Sequence, residues 1–375
     1  MNDMIPRVHY ILCCLAFPIP VAAGTLYVDV EATGQNNGMS WTDAYGSLST
    51  AIGKAAVGDE VWVAEGTYQP ITLKSGVKVI GGFKGTETSE LASDPDTHKT
   101  YISGGGKSRA LGSVANDSST VLRGFYIIEG FVDFPDNGGG LYVGDSDTIF
   151  VRCVFTGNRS AVMGGAVAIW GGSPTFVNCR FYDNDGGWAA GAIFNRKFAT
   201  PTFVNCLFYE NKAWEGGAVG ITTGAATFVN CTLSDNEATI GKGGALFDSR
   251  GEAVLRNCII WGNVAGTEGT NEVFNLPAAR TSTTVSYSNV KGAWPGTGNI
   301  GSDPLFVDAG KGDYRLQETS PCRDAGKNAS LPADVADINA DGNTTGLLPK
   351  DLALKGRVSG EAVDMGAFEW RPSGE

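Results

Sequence analysis

Three acidic residues stand at equivalent positions in a recurring ten-residue phrase, each directly before the last asparagine of that phrase. They are Asp183, Glu210 and Asp235. If the phrases stack as neighbouring strands, adjacent carboxylates lie about 5 Å apart and alternate ones about 10 Å apart. Those distances bracket the carboxylate separations of retaining and inverting glycosidases. The three acids are therefore candidate catalytic groups of a glycoside hydrolase, with solvated turn residues as the alternative interpretation.

Aromatic residues accompany these acids on the same repeats. Tyr182 and Tyr209 each precede an acid, and Trp188 and Trp214 follow a few residues later. Aromatic rings aligned on a rigid surface can stack against sugar rings. The four aromatic residues are candidate substrate-binding residues, and packing within loops is the alternative.

Basic residues offer a different chemistry, that of a polysaccharide lyase. Such an enzyme needs a base such as Lys or Tyr and a cation that neutralises a uronate carboxylate. Arg196 and Lys197 occupy a loop after the repeat that contains Arg180. We take Arg196 and Lys197 as further catalytic candidates and Arg180 as a substrate-binding candidate, against the alternative of a solvated loop.

A short acidic motif near the end of the chain has the spacing of half a calcium-binding loop. Asp337, Asn339 and Asp341 alternate and are followed by Gly342, but the twelfth position is Leu348 instead of Glu. The three residues are candidate calcium ligands, and an Asp/Asn turn is the alternative. No cofactor is required by the sequence.

A repeat must position most of these residues. Cysteines inside the phrase recur at intervals of 26, 27, 25 and 27 residues, at Cys153, Cys179, Cys206, Cys231 and Cys258. A glycine-containing phrase such as GGAV (residues 164–167) lies between successive cysteines. Short β-branched and aromatic runs without a helical period predict strands. Strands this short must stack coil on coil, which predicts an all-β parallel β-helix, a solenoid with coils of about 26 residues.

Each repeated position becomes a column along such a solenoid. Asparagine in a turn can adopt a left-handed conformation and bond its counterpart in the next coil. This predicts turn ladders of Asn158, Asn184, Asn211, Asn236 and Asn263, and of Asn178, Asn205, Asn230 and Asn257. The stacked cysteines should stay near the strand spacing of about 4.8 Å, too far apart for disulfides, so we expect buried free thiols. Cys322 lies outside this column and has no evident partner.

The remaining chain suggests four segments. Residues 1–23 resemble a secretory signal peptide, with an apolar run shorter than the roughly 18 residues that span a bilayer. Residues 24–58 form an N-terminal cap with an amphipathic helix over 48–56, and 59–310 form the solenoid. Residues 311–375 lack a period and are interpreted as a loop-rich C-terminal cap and appendix. We expect a secreted or periplasmic monomer without membrane insertion.

The composition argues against certain classes of partner and of active site. The chain has 28 Lys and Arg residues against 40 acids, for a net charge of −12, which argues against nucleic acid. Only two histidines are present among 375 residues, which disfavours a Ser-His-Asp triad or a His-rich zinc site.

Three segments of the chain resemble known families. The run VGDEVWVAEGTY (residues 57–68) and the stacked strands resemble the pectin-lyase-like right-handed β-helix superfamily. The pairing of Gly-Gly-Ala-aliphatic with Phe-x-x-Asn resembles chlamydial polymorphic membrane protein repeats. The runs DPLFVD (303–308), SPCRDAG (320–326) and VDMGAFE (363–369) are similar to bacterial choice-of-anchor β-helix surface proteins. The first resemblance implies a right-handed solenoid.

We therefore expect a secreted, periplasmic or surface-associated protein that binds extracellular polysaccharide on an outer coil face without cleaving it, in a binding or adhesive role. A polysaccharide lyase or glycoside hydrolase that uses the same face is the alternative. A structural or protein-binding component of the envelope is the third.

Overall fold

A computed structural model of the chain describes residues 23–266, 272–276, 282–339 and 341–372. Residues 1–22 of the predicted signal peptide lie outside this part. The described chain winds into successive coils that together form three long parallel sheets. Consecutive coils contribute neighbouring strands to each sheet. The predicted parallel β-helix is confirmed. Within the described ranges, no helix is long and apolar enough to cross a membrane.

The three sheets follow one another in each coil, and we number them by that order. The first sheet comprises Thr25–Val28, Glu60–Ala64, Lys78–Phe83, Val121–Arg123, Ile149–Val151, Thr175–Val177, Thr202–Val204, Ala225–Val229, Glu252–Arg256 and Ser282–Ser286. The second comprises Gly66–Tyr68, Thr100–Ser103, Phe125–Ile128, Val154–Thr156, Arg180–Tyr182, Leu207–Tyr209, Thr232–Ser234, Ile259–Trp261 and Asn289–Val290. The third comprises Ile71–Thr72, Leu111–Val114, Leu141–Gly144, Val167–Trp170, Ile193–Arg196, Val219–Ile221, Leu246–Asp248 and Val273–Asn275.

Smaller elements complete the fold. Short strands follow the second sheet. Phe131–Val132 pairs with Arg159–Ser160, and a three-stranded sheet comprises Lys212–Ala213, Glu237–Ala238 and Val264–Ala265. Phe306–Asp308 and Asp313–Leu316 form an antiparallel hairpin. The α-helix Leu48–Lys54 and the 3-10 helices Glu90–Ala92, Ala309–Lys311 and Asn328–Ser330 are the helical elements of the described chain.

The inside of the solenoid is filled by ladders of phenylalanine. Phe150, Phe176 and Phe203 stack with ring centroids 4.7 and 5.0 Å apart, and Phe181 and Phe208 stack at 4.7 Å in the facing column. Because strands pair in register, one repeated residue type produces a continuous stack. Burying these rings is the main stabilising contribution of the repeat.

The cysteines form a parallel column inside the solenoid, as predicted. All six cysteines of the described chain are free and buried. The thiol of Cys206 donates to the carbonyl oxygens of Phe176 and Val204 at 3.4 Å. Burial raises the pKa of the thiols of Cys153 and Cys258. These cysteines are packing residues of the core.

The asparagine ladder from Asn158 to Asn263 is confirmed, with one correction, whereas the second column forms two separate pairs, Asn178 with Asn205 and Asn230 with Asn257. Asn178 has φ = 54°, in the left-handed region, as do its counterparts in that column. In the ladder that contains Asn184, however, the left-handed residue is the preceding one, which is Asp183 with φ = 52°. The turn at this position directs the asparagine side chain inwards, where it bonds the next coil.

The N-terminal helix and the tail contact different parts of the solenoid. Leu48, Ala51 and Ile52 face the main core. In contrast, tail residues such as Ile338 and Leu348 pack against the outer face of the first sheet. Asn178 reinforces this docking, since its Nδ2 donates to the carbonyl of Asp351 at 2.6 Å.

Candidate functional site

The three predicted catalytic acids lie on successive coils at the turn that ends the second sheet. Asp183, Glu210 and Asp235 are exposed, and all three have left-handed φ angles of 52–55°. In other coils Gly157 and Gly262 occupy the same position. The position holds glycine in some coils and an acid in others, always with a left-handed backbone, so its primary role is to form the turn. The catalytic role of the acids stays a prediction.

The hairpin in the tail already uses one of these acids. The hydroxyl of Tyr314 donates to Oδ2 of Asp235 at 3.0 Å, and the Ser234 hydroxyl donates to the same oxygen. The ring of Tyr314 also contacts that of Tyr209, with centroids 5.2 Å apart. Asp235 therefore helps to dock the tail, and the turn acids open to a ligand are Asp183 and Glu210.

The predicted aromatic residues of this region lie on the same two coils, and the two tyrosines are in contact. The rings of Tyr182 and Tyr209 stack with centroids 4.8 Å apart on adjacent strands of the second sheet. Trp188 and Trp214 are exposed by 48% and 50% on the same two coils. We call the strip formed by these four residues and the turn acids the corner strip.

The predicted basic residues are not brought together. Arg180 lies on the outer face of the second sheet, where its guanidinium is 3.7 Å from Asp96. Arg196 and Lys197 lie at the end of a third-sheet strand, at a different corner of the coil. Lys197 pairs with Asp145 at 2.7 Å, and the guanidinium of Arg196 stacks over the ring of Trp170 at 4.8 Å from its centroid.

Trp170, which Arg196 contacts, lies at one end of a groove that the sequence did not reveal. Two adjoining cavities of about 490 and 240 Å³ lie along the outer face of the third sheet and share Arg109. The first is bordered by Ile52, Pro70 and Lys74, and the second by Tyr142 and Trp170. We call these two cavities, with Arg196, the third-sheet groove.

Strand register explains the shape of the groove. Gly112 pairs with Tyr142, and Gly144 pairs with Trp170, so glycine and aromatic residues alternate on the outer face. A Cβ on Gly144 would lie 2.9 Å from the ring of Tyr142, which shows why a larger residue does not fit there. The glycines have no side chain to fill this surface, so they form the floor of the groove, and the aromatic rings form its walls.

The groove combines cations with aromatic rings, and one acid, Asp136, also lines it beside Arg109. The guanidinium of Arg109 lies 5.1 Å from the ring centroid of Tyr142, while its Nε and Nη2 donate to the carbonyl oxygens of Gly138 and Asn137. Burial lowers the pKa of Arg109. The side-chain oxygen of Asn137 is buried beside it without a hydrogen-bond partner. These residues were missed because the outward positions of the glycine phrase, such as Tyr142, are not repeated from coil to coil.

The predicted calcium ligands form a turn held by its own hydrogen bonds. Oδ1 of Asp337 accepts from the backbone N–H groups of Asp341 and Gly342, and Nδ2 of Asn339 donates to Asp341. The guanidinium of Arg123 interacts electrostatically with Asp337. Among the described residues no group of three or more His, Cys, Asp or Glu side chains could hold a metal ion. Calcium binding stays a prediction.

The fold defines the class of protein. A family model described as "Right handed beta helix region" matches residues 112–277. The resemblance to the pectin-lyase-like superfamily is thereby confirmed at the level of the right-handed parallel β-helix fold. The resemblances to chlamydial repeats and to choice-of-anchor proteins stay predictions.

Two solved structures are similar to this chain. Pectate lyase Pel9A has 15% identity and a TM-score of 0.42, with 94% of this chain and 97% of that chain covered. A rhamnogalacturonan lyase has 15% identity and a TM-score of 0.28, with 76% of this chain and 91% of that chain covered. No curated protein matches the sequence.

Proposed function

We propose that the protein is a secreted or surface-associated protein that binds an anionic polysaccharide in the third-sheet groove, without cleaving it. The observation that carries the proposal is the pair of cation-over-ring contacts, Arg109 on Tyr142 and Arg196 on Trp170. Rings stack against sugar faces, and guanidinium groups pair with sugar carboxylates. On a chain with a net charge of −12, Lys74 and Arg109 give this groove a local group of cations.

The chemistry of the groove favours binding over catalysis. Lys74 donates its ammonium hydrogens to the carbonyl oxygens of Gly53 and Ala55, and Arg109 is held by two further carbonyl oxygens. Lys197, the predicted lyase base, is paired with Asp145 at 2.7 Å. These groups are arranged as fixed cations, whereas a general base must be free to take a proton from the substrate.

The corner strip is the second candidate surface, favoured by the stacked Tyr182 and Tyr209. It carries acids instead of cations, so it suits a neutral polysaccharide better than an anionic one. A hydrolase would act there through Asp183 and Glu210.

Affinity gel electrophoresis tests the proposal. The mature protein should be retarded by polygalacturonate but not by neutral glucomannan, and Arg109→Ala should abolish the retardation. Arg159→Ala is the matched control, because Arg159 is exposed on a coil edge outside the groove. Equal mobility with and without polygalacturonate would contradict the proposal.

The same mixtures, supplemented with calcium, distinguish catalysis. Growing ultraviolet absorbance from unsaturated uronate ends would establish a lyase and overturn the non-catalytic proposal. New reducing ends without that absorbance would indicate a hydrolase, and loss of the activity in Glu210→Gln would assign it to the corner strip.

A further inference from the structure

The tail contains a cavity of its own, separate from both surfaces described above. Its volume is about 630 Å³, within the usual range for small-molecule sites. It lies between the hairpin that ends at Leu316 and the last described residues, with Phe368 and Trp370 in its wall. We name it the tail pocket.

Cations surround this pocket. Arg315, Lys355 and Arg371 line it. Arg315 forms a two-pronged ion pair with Asp313, but the Lys355 ammonium has no ion-pair or hydrogen-bond partner within the described chain. Nη2 of Arg371 donates to the carbonyl of Gly356, while its Nε is buried without a partner. The Lys355 ammonium and the Nη1 of Arg371, which is unbonded within the described chain, are donors in the wall of a cavity from which an acidic ligand could accept hydrogen bonds.

Three acids line the pocket, Glu318, Asp351 and Glu369, and the last two are already committed to the protein. Oδ2 of Asp351 accepts from the backbone N–H of Glu369 at 2.9 Å. The two oxygens of Glu369 accept from the backbone N–H groups of Ser359 and Asp364 at 3.0 and 3.2 Å. These carboxylates therefore organise the walls, whereas Lys355 and Arg371 keep bonding capacity for a ligand.

The wall also has an aromatic surface. The guanidinium of Arg323 lies 3.6 Å from the ring centroid of Trp370 and holds this side chain in place. A fixed ring beside two cations suits a ligand that has both a flat ring face and a carboxylate.

We propose that the tail pocket binds an acidic monosaccharide, or one acidic end of an oligosaccharide, through Lys355, Arg371 and Trp370. This site is independent of the third-sheet groove. It gives the tail a carbohydrate-binding role, whereas the sequence indicates a cap and appendix that contains a candidate calcium turn.

Isothermal titration calorimetry with sodium glucuronate and with glucose tests the proposal. We expect saturable binding of glucuronate and none of glucose. Lys355→Ala and Arg371→Gln should each weaken binding about tenfold or more, as expected when a charged hydrogen bond is removed. Lys107→Ala, at an exposed site outside the pocket, should bind like the wild type.

Three results would overturn the proposal. They are no heat with glucuronate, equal affinity for glucose, and unchanged affinity in both pocket variants with native circular dichroism spectra. Arg109→Ala separates the two sites, because it should lose polygalacturonate retardation and keep glucuronate binding. Loss of either function alone thus identifies which of the two proposals fails.

Discussion

Nδ2 of Asn184 donates a hydrogen bond to Oδ1 of Asn211 at 2.9 Å, which joins two successive coils. Asn211 in turn donates to Oδ1 of Asn236 at 2.9 Å and to the carbonyl oxygens of Phe181 and Tyr209. Every polar atom of this buried side chain is therefore used. The ladder satisfies backbone groups at the turn that no sheet can reach.

Asn211→Ala should destabilise the solenoid strongly. The substitution leaves several buried groups without partners, at a cost of about 1–3 kcal/mol for each. We expect the free energy of unfolding in urea to fall by roughly 3 kcal/mol or more. Lys212→Ala, at the exposed neighbouring position, is the control and should change it little. A small change in the free energy of unfolding in Asn211→Ala would show that the ladder is a consequence of the fold and does not stabilise it.

The thiols should be inaccessible in the native protein. All six are buried in the described chain, and burial raises the pKa of Cys322 to about 11. The mature protein should give no reaction with Ellman's reagent at neutral pH, and six thiols after unfolding in guanidinium chloride. Fewer than six reactive thiols after unfolding would reveal a disulfide and contradict the prediction that all six cysteines are free.

Trp170 should matter to polysaccharide binding through its ring. Removal of the ring in Trp170→Ala takes away both a sugar-stacking surface and the support of Arg196. We expect about a tenfold loss of affinity for polygalacturonate, since aromatic and cation-over-ring contacts contribute about 1–2 kcal/mol. Trp170→Phe keeps a ring and should lose much less. If both variants bind like the wild type, the groove is not the binding surface.

Stability should fall as the pH rises from about 4.5 to 7. Burial raises the pKa of Glu369 from 4.5 to about 7, so in this interval the folded protein binds more protons than the unfolded chain. The free energy of unfolding then decreases with pH, by at most about 1.4 kcal/mol per pH unit for this group. Burial raises the pKa of Glu272 to about 7 as well. The free energy of unfolding, measured in urea at several pH values, should depend less on pH in Glu369→Gln than in the wild type. An unchanged pH dependence would contradict this assignment.

Calcium should not be needed for folding. The carboxylate of Asp337 already accepts backbone N–H groups, which hold the loop without an ion. Addition of EDTA is therefore expected to leave the midpoint of thermal unfolding unchanged. A midpoint that rises with calcium in the wild type but not in Asp337→Ala would instead assign the calcium site that the motif indicates.

Part of the candidate site could be derived from the repeat. Tyr182 and Tyr209 were expected on one face, and they stack there because their strands pair in register. Arg180 and Arg196 were expected in one site, but they belong to different sheets. Position along a coil decides which face a residue occupies, and the intervals between these basic residues do not reveal it.

The sequence by itself determined the solenoid, its core and its ladders. A period of 25–27 residues puts the same residue type in register on every coil, so local pattern and stacking agree. Only the tertiary structure decided where the tail lies and what it encloses. Thr232 accepts from the backbone N–H of Ala367, 135 residues away, and no periodicity encodes such a contact. The tail pocket arises in the same way, because it joins segments that are distant in sequence and do not repeat.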